Sequence, residues 1–265
     1  MSITLLIIDP QVDFCDPERG ALYVPGAEQD MARLAEFVRR MYPEIDAIHV
    51  TLDSHHVVDI AHPVFWVDAD GRHPAPFTSI SAEEIETGRW TTTKPEMRAR
   101  ALNYARTLEQ GGRYALLIWP YHCLIGSPGH AVQPELFAAL QEWEQNFAMV
   151  NYILKGRNPW TEHYSAIRAE VPDKSDPETL PQSALIQALE ASETLLVAGE
   201  AGSHCVANTV RDLADQFSDP AHISRLCLLT DAVSPVTGFE GFQEQFLAEM
   251  TARGMRLTTT TDFRK

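Results

Sequence analysis

Six side chains able to do chemistry stand at or just past the ends of short apolar runs: Asp9, Asp53, His55, His122, Lys155 and Cys205. Cys205 has the most specific setting. Segment 197–206 reads as a strand, a glycine-containing turn and the start of a helix. A cysteine at a helix N-terminus faces the positive end of the dipole, which lowers its thiol pKa, and the amides there can hold an oxyanion. Asp9 and Lys155 complement such a thiol. A carboxylate can carry the thiol proton to a leaving group, and an ammonium keeps that carboxylate ionised. Cys15, Cys123 and Cys227 lack this setting and read as inert core cysteines.

The second group is Asp53-Ser-His55 with His122. Alternate residues of a strand share a face, so the carboxylate and imidazole of an Asp-x-His pair can meet one ion. A carboxylate with imidazoles suits one divalent metal ion, Zn, Fe or Mn. His62 is a further candidate ligand and His56 a flanking competitor. His73, His130 and His163 read as surface or secondary pocket residues. On these residues alone, a non-catalytic metal- or ligand-binding protein stands as the alternative to an enzyme.

Positioning these groups requires a particular kind of sheet. Runs 3–8, 47–52, 114–119, 148–154, 194–198 and 226–229 read as strands, and 255–259 as a last edge strand. Between them, 31–41, 96–109, 136–143, 184–189, 203–217 and 239–252 show helical spacing. Strands alternating with helices indicate a doubly wound, Rossmann-like parallel six-stranded sheet with helices on both faces. Right-handed crossovers then bring every strand's carboxyl end to one edge, where ligands bind. Residues 56–94 are irregular and rich in Pro, Gly, Asp and Thr, too long for an ordinary connection. They read as a lid, a small subdomain or an oligomer contact inserted into one domain spanning 1–265.

Composition narrows the class. The 265 residues are 45% apolar, enough for a core without disulfides or structural metal. With 21 basic and 37 acidic residues the net charge is −16, which repels phosphate backbones and argues against nucleic acid. No apolar run approaches the roughly 20 residues of a membrane helix. The start of the chain lacks a basic, signal-like opening, and four cysteines without paired spacing suit a reducing compartment. A cytoplasmic protein free of membrane, able to form a homo-oligomer, is the expectation.

The motifs also carry a resemblance. Ile8-Asp9-Pro-Gln11-Val-Asp13-Phe14, Thr51-Leu-Asp53-Ser-His55, Trp119-Pro-Tyr-His122, Leu154-Lys155-Gly156 with Tyr164-Ser165-Ala166, and Gly199-Glu-Ala-Gly-Ser-His204-Cys205 occur in that order. Together they resemble the isochorismatase-like cysteine hydrolases, and within them the nicotinamidase branch. The resemblance implies a metal-dependent amidohydrolase that converts nicotinamide to nicotinate and ammonia through a cysteine thioester. It implies Cys205 as nucleophile, Asp9 as general acid and base, Lys155 as its charged partner, and Asp53, His55 and His122 as metal ligands. It further implies a cis Glu200–Ala201 peptide, an oxyanion hole from the amides of Ala201 and Cys205, and a ring pocket of Phe14, Trp119 and Tyr164. Glu200, Gly202 and Ser203 depart from the residues many nicotinamidases carry there, and the interval from His55 to Trp119 is long. Both departures border the pocket, so another small amide, ureido or carbamoyl compound is the alternative substrate.

Overall fold

The computed structural model describes residues 2–264. Its centre is a six-stranded, wholly parallel sheet. We number its strands β1 (Ile3–Ile8), β2 (Ala47–Asp53), β3 (Asn151–Lys155), β4 (Thr194–Gly199), β5 (Leu226–Leu229) and β6 (Arg256–Thr258). Their spatial order is β6-β5-β4-β1-β2-β3. The continuous apolar runs take the middle: every residue of β1 and β4 is buried. The edge strand β3 instead leaves Tyr152 and Leu154 exposed.

From β1 the chain winds outward to β2 and β3, then returns to β4 and winds the other way. With right-handed crossovers, helices of the two halves lie on opposite faces. Ala27–Met41 and Pro134–Glu144 pack together on one side, and Cys205–Gln216 meets Glu240–Ala252 on the other. The order reverses between β1 and β4, which opens a crevice at their carboxyl ends. Gly199 closes β4 with φ 113°, and a Cβ there would sit 2.1 Å from the Ile8 carbonyl oxygen. Only glycine allows the two central strands to end so close together.

Run 114–119 departs from expectation. Only Leu116–Leu117 is a strand, and it pairs antiparallel with Ser79–Ile80, outside the main sheet. Its apolar side chains have a different core to fill. Ile60, Phe65, Trp66, Ile85, Tyr104 and Ile118 belong to a second buried cluster, built from the long interval between β2 and β3. The expected irregular stretch also contains regular pieces. Helix Ala82–Thr87 starts with a reciprocal Ser81–Glu84 capping box, and Trp66–Val67 pairs with Thr91–Thr92. The Pro and Gly content signals tight turns between short elements rather than absence of structure. No helix of the described residues is long and apolar enough to cross a membrane.

Trp66 is the largest side chain buried completely in this second cluster, and its Nε1 donates to the Ile60 carbonyl at 2.7 Å. Trp66→Ala should cost about 3–5 kcal/mol in chemical denaturation. An unchanged denaturation midpoint would show that the second cluster contributes nothing to folding.

Candidate active site

Register assembles the charged centre. Asp53 of β2 lies opposite Lys155 of β3, and Asp9 follows directly on β1. The Lys155 ammonium is 2.8 Å from Asp9 Oδ2 and 3.1 Å from Asp53 Oδ1. It also donates to the His163 carbonyl at 2.9 Å and faces Cys205 Sγ at 3.6 Å. Burial works against this ammonium, but Asp53 and Asp9 outweigh it and hold its pKa well above that of ordinary lysine. Gly156 next to it allows close approach: a Cβ would lie 2.8 Å from Asp53 Oδ1.

Asp9 has φ 43°, a rare conformation for a non-glycine residue. Its N–H donates to the Thr51 carbonyl and hydroxyl, and the Thr51 hydroxyl in turn donates to Asp9 Oδ1 at 2.6 Å. Burial raises the Asp9 carboxyl pKa against the pull of Lys155. Cys205 opens helix Cys205–Gln216, as its segment predicts. The thiol differs from the expectation of a lowered pKa: burial pushes it well up, Lys155 opposes, and Asp9 and Asp53 push it further. Sulfur, ammonium and carboxylate stand close enough for a proton to pass between them.

The Glu200–Ala201 peptide is cis. Among the described residues, the N–H groups of Ala201 and Cys205 have no acceptor in the protein, and both residues line the same pocket. Phe14, Trp119, Tyr164 and His122 complete most of its wall. The pocket therefore has an aromatic, mostly apolar side and a charged floor.

Asp53, His55 and His122 present ligand atoms within 4.8 Å of one another. His55 Nε2 lies 3.0 Å and His122 Nε2 3.6 Å from Asp53 Oδ2. The other ring nitrogens are occupied: His55 Nδ1 meets Asp59 Oδ2 at 3.2 Å, and His122 Nδ1 donates to the Pro120 carbonyl at 2.8 Å. Such outer contacts orient metal-binding imidazoles. Burial opposes charge on His55, yet Asp53 and Asp59 outweigh it and raise its pKa to about 10. A carboxylate with two imidazoles whose ligand atoms converge fits a divalent cation. His62 lies beside it, with ring centroids 5.2 Å from His55 and 5.7 Å from His122, but outside the three-donor set.

The route by which His122 arrives is not the expected one. It does not end a strand of the main sheet. A parallel bridge between His55 and Leu124 carries it in, with His55 N–H donating to the Cys123 carbonyl at 3.0 Å. Asp13 Oδ2 accepts the Cys123 N–H at 2.6 Å, and the Gln11 amide exchanges two 2.7 Å bonds with the Asp53 backbone. These contacts explain the rest of the Asp9-Pro-Gln11-Val-Asp13 motif: it ties three segments of the site together.

His163 was expected at the surface or in a secondary pocket. It is buried and lines this one, and burial lowers its pKa to about 3. His130 bonds Ser54 Oγ at 2.9 Å, and His73 Nδ1 donates to the Trp66 carbonyl. The sequence motifs contain Thr51 and His204 without a role for either, and do not extend to Asp59 or Glu162. Thr51 shares the strand face of Asp53 and Asp59 follows His55 by four, which are usable signals. Glu162 sits two residues before Tyr164, and only its burial distinguishes it from a surface acid.

No family model matches the chain, and no curated protein matches it by sequence. Solved structures do. The yeast nicotinamidase bound to the inhibitor nicotinaldehyde has a TM-score of 0.68 at 17% identity, covering 97% of this chain and 99% of that one. An Acinetobacter baumanii nicotinamidase/pyrazinamidase gives 0.65 at 20%, covering 98% and 97%. A Pyrococcus horikoshii pyrazinamidase in complex with zinc gives 0.56 at 19%, covering 98% and 99%. The chain has the isochorismatase-like α/β fold of these proteins over 97–98% of its length.

Lys155→Met removes the cation from two buried carboxylates and should destabilise the fold by about 3–5 kcal/mol. Adding Asp9→Asn to that variant should restore at least half of the loss in urea denaturation. Equal stability of wild type and Lys155→Met would contradict the ion-pair assignment.

Proposed function

We propose that this protein is a metal-dependent cysteine amidohydrolase that releases ammonia from small carboxamides, nicotinamide foremost. The observation that carries the reading is one buried ammonium, Lys155, 3.6 Å from the Cys205 sulfur and 2.8 Å from the Asp9 carboxylate, where Cys205 itself lines an aromatic pocket. The shared fold with nicotinamidases supports it.

In this reading the Cys205 thiol passes its proton to Asp9 as sulfur bonds to the amide carbon. The carbonyl electron pair moves to oxygen, where the N–H groups of Ala201 and Cys205 receive it. The oxyanion re-forms the carbonyl and expels the amine, which takes the proton from Asp9 and leaves as ammonia. Water then attacks the thioester and gives a proton to Asp9; as the carbonyl re-forms, the C–S bond breaks and the sulfur takes that proton back from Asp9, leaving the acid product and the resting thiol. Lys155 keeps Asp9 ionised between these transfers. Phe14, Trp119 and Tyr164 hold a flat acyl group. A divalent ion held by Asp53, His55 and His122, with His62 beside them, would supply Lewis acidity and a fixed point for orienting substrate or water.

The second cluster ends at Ile118, directly before Trp119, so we also propose that the insertion walls the substrate pocket. Four unpaired cysteines suit a reducing, cytoplasmic setting. The altered turn around Glu200 keeps other small amides or ureido compounds as the second reading.

Metal-replete protein should release ammonia from nicotinamide, and Cys205→Ala should lower turnover by at least about 10³-fold while retaining ligand binding. Chelation should abolish activity, and Asp59→Asn should weaken metal affinity by about 10–100-fold. Absence of ammonia from every amide tested, with Cys205 intact, would sink the reading.

A further inference from the structure

Behind the nucleophile turn lies a second pair of buried acids. Glu200 begins the turn that leads into Cys205 and is wholly buried; Asp30, on helix Ala27–Met41, is only 2% exposed. Ser234 stands between them. Its N–H donates to Glu200 Oε2 at 3.1 Å and its hydroxyl to Asp30 Oδ2 at 2.6 Å, while its carbonyl accepts the Gly202 N–H at 2.8 Å. The start of the helix comes close enough for this: a Cβ at Gly26 would lie 2.7 Å from Ser234 Oγ. Helix, turn and the loop after β5 therefore meet at one residue.

The donors around this pair are too few for two charges. The nearest cation, Arg33, donates to Asp30 Oδ1 at 2.5 Å and spends its Nε on the Asp231 carbonyl. Arg33 and the two Ser234 donors thus serve three of the four carboxyl oxygens, and Glu200 Oε1 has none. The two side chains also hydrogen-bond each other, which requires a proton on one of them. Asp30 has the guanidinium, so the proton belongs to Glu200. Other titratable groups nearby leave this unchanged. Cys15, after β1, keeps its own proton because burial raises its thiol; Asp9 is paired with Lys155, and the Asp231 carboxylate is taken by the Thr260 N–H and hydroxyl. Burial and Asp30 hold the Glu200 carboxyl well above its ordinary value.

We propose that Glu200 is a positioning residue: it shares one proton with Asp30 across this buried pair, and the latch so formed holds the turn that presents the Ala201 and Cys205 N–H groups. The positioning role rests on the amidohydrolase reading; the shared proton does not. A charge on Glu200 would be buried beside a second carboxylate with no cation of its own, and would force turn and helix apart. The same loop reaches the pocket: Val236 lines its wall, and the Val236 N–H donates to Ser203 Oγ at 3.1 Å.

Full-length, metal-replete E200Q and E200A are compared with the parent protein. Gln keeps a donor for Asp30 and an acceptor for Ser234 but has no proton to lose. Folding of the parent takes up a proton that E200Q does not need, so stability is lost as pH rises towards the raised value. In urea denaturation from pH 5.5 upward, the parent's folding constant relative to E200Q should fall about tenfold per pH unit until Glu200 ionises within the fold. With nicotinamide at pH 6.5, E200A should lower kcat by at least about tenfold with KM within about threefold, while E200Q keeps kcat within about threefold. A parent-to-E200Q ratio that does not change with pH overturns the shared proton. Unchanged kcat in E200A, an equal loss in E200Q, or a loss confined to KM overturns the positioning role. E200M, which fills the same space without hydrogen bonds, takes the place of E200A if that variant does not fold. Absence of ammonia release by the parent from every amide counts against the amidohydrolase reading instead, and the proton comparison needs no substrate.

Discussion

The site is organised around one buried ammonium. Lys155 ends the edge strand β3, yet its side chain is only 1% exposed and reaches Asp9, Asp53, the His163 carbonyl and the Cys205 sulfur. A lone charge taken out of water would be costly, and so would either carboxylate without it. Each of these buried groups is tolerable only because the others are in place. That mutual dependence couples the strand ends, the nucleophile turn and the segment after β3 into a single unit. It also links the two proposed chemistries, since Asp53 contacts both the ammonium and the imidazole pair.

Around that centre, hydrogen bonds from backbone and side chains fix the geometry. Thr51 holds Asp9 through its carbonyl and hydroxyl, Gln11 clasps the Asp53 backbone, and Asp13 secures the segment that delivers His122. Asp59 and the Pro120 carbonyl turn the two imidazoles so that their Nε2 atoms face one carboxylate. A site held this way does not depend on loop flexibility for its shape. The second hydrophobic cluster extends the same logic. By burying Leu116 and Ile118, it sets the chain on course for Trp119 and His122 just beyond.

Much of the fold was legible because parallel strands buried on both faces leave continuous apolar runs. Segments 3–8, 194–198 and 226–229 match strands within a residue. Run 114–119 misled for the same reason: apolar content reports burial but not which core is being filled. The expectation for Cys205 failed on energetics. A helix N-terminus is visible in sequence, whereas burial beside two carboxylates, which pushes the thiol up, is not.

The sequence by itself determined the residue types, their order and the sheet that gathers them, since alternation of strand and helix dictates crossover handedness and a common edge. It therefore pointed to Asp9, Asp53, His55, His122, Lys155 and Cys205 together. Tertiary structure alone decided how His122 enters, that Asp59 stands behind His55, and that Glu162 is buried against Trp119 and Tyr164. The first and last of those outcomes depend on contacts between residues 43 to 110 positions apart, such as Trp119 with Glu162 and Asp13 with Cys123. Local periodicity carries no record of such pairings; packing and desolvation choose among them only once the chain has closed.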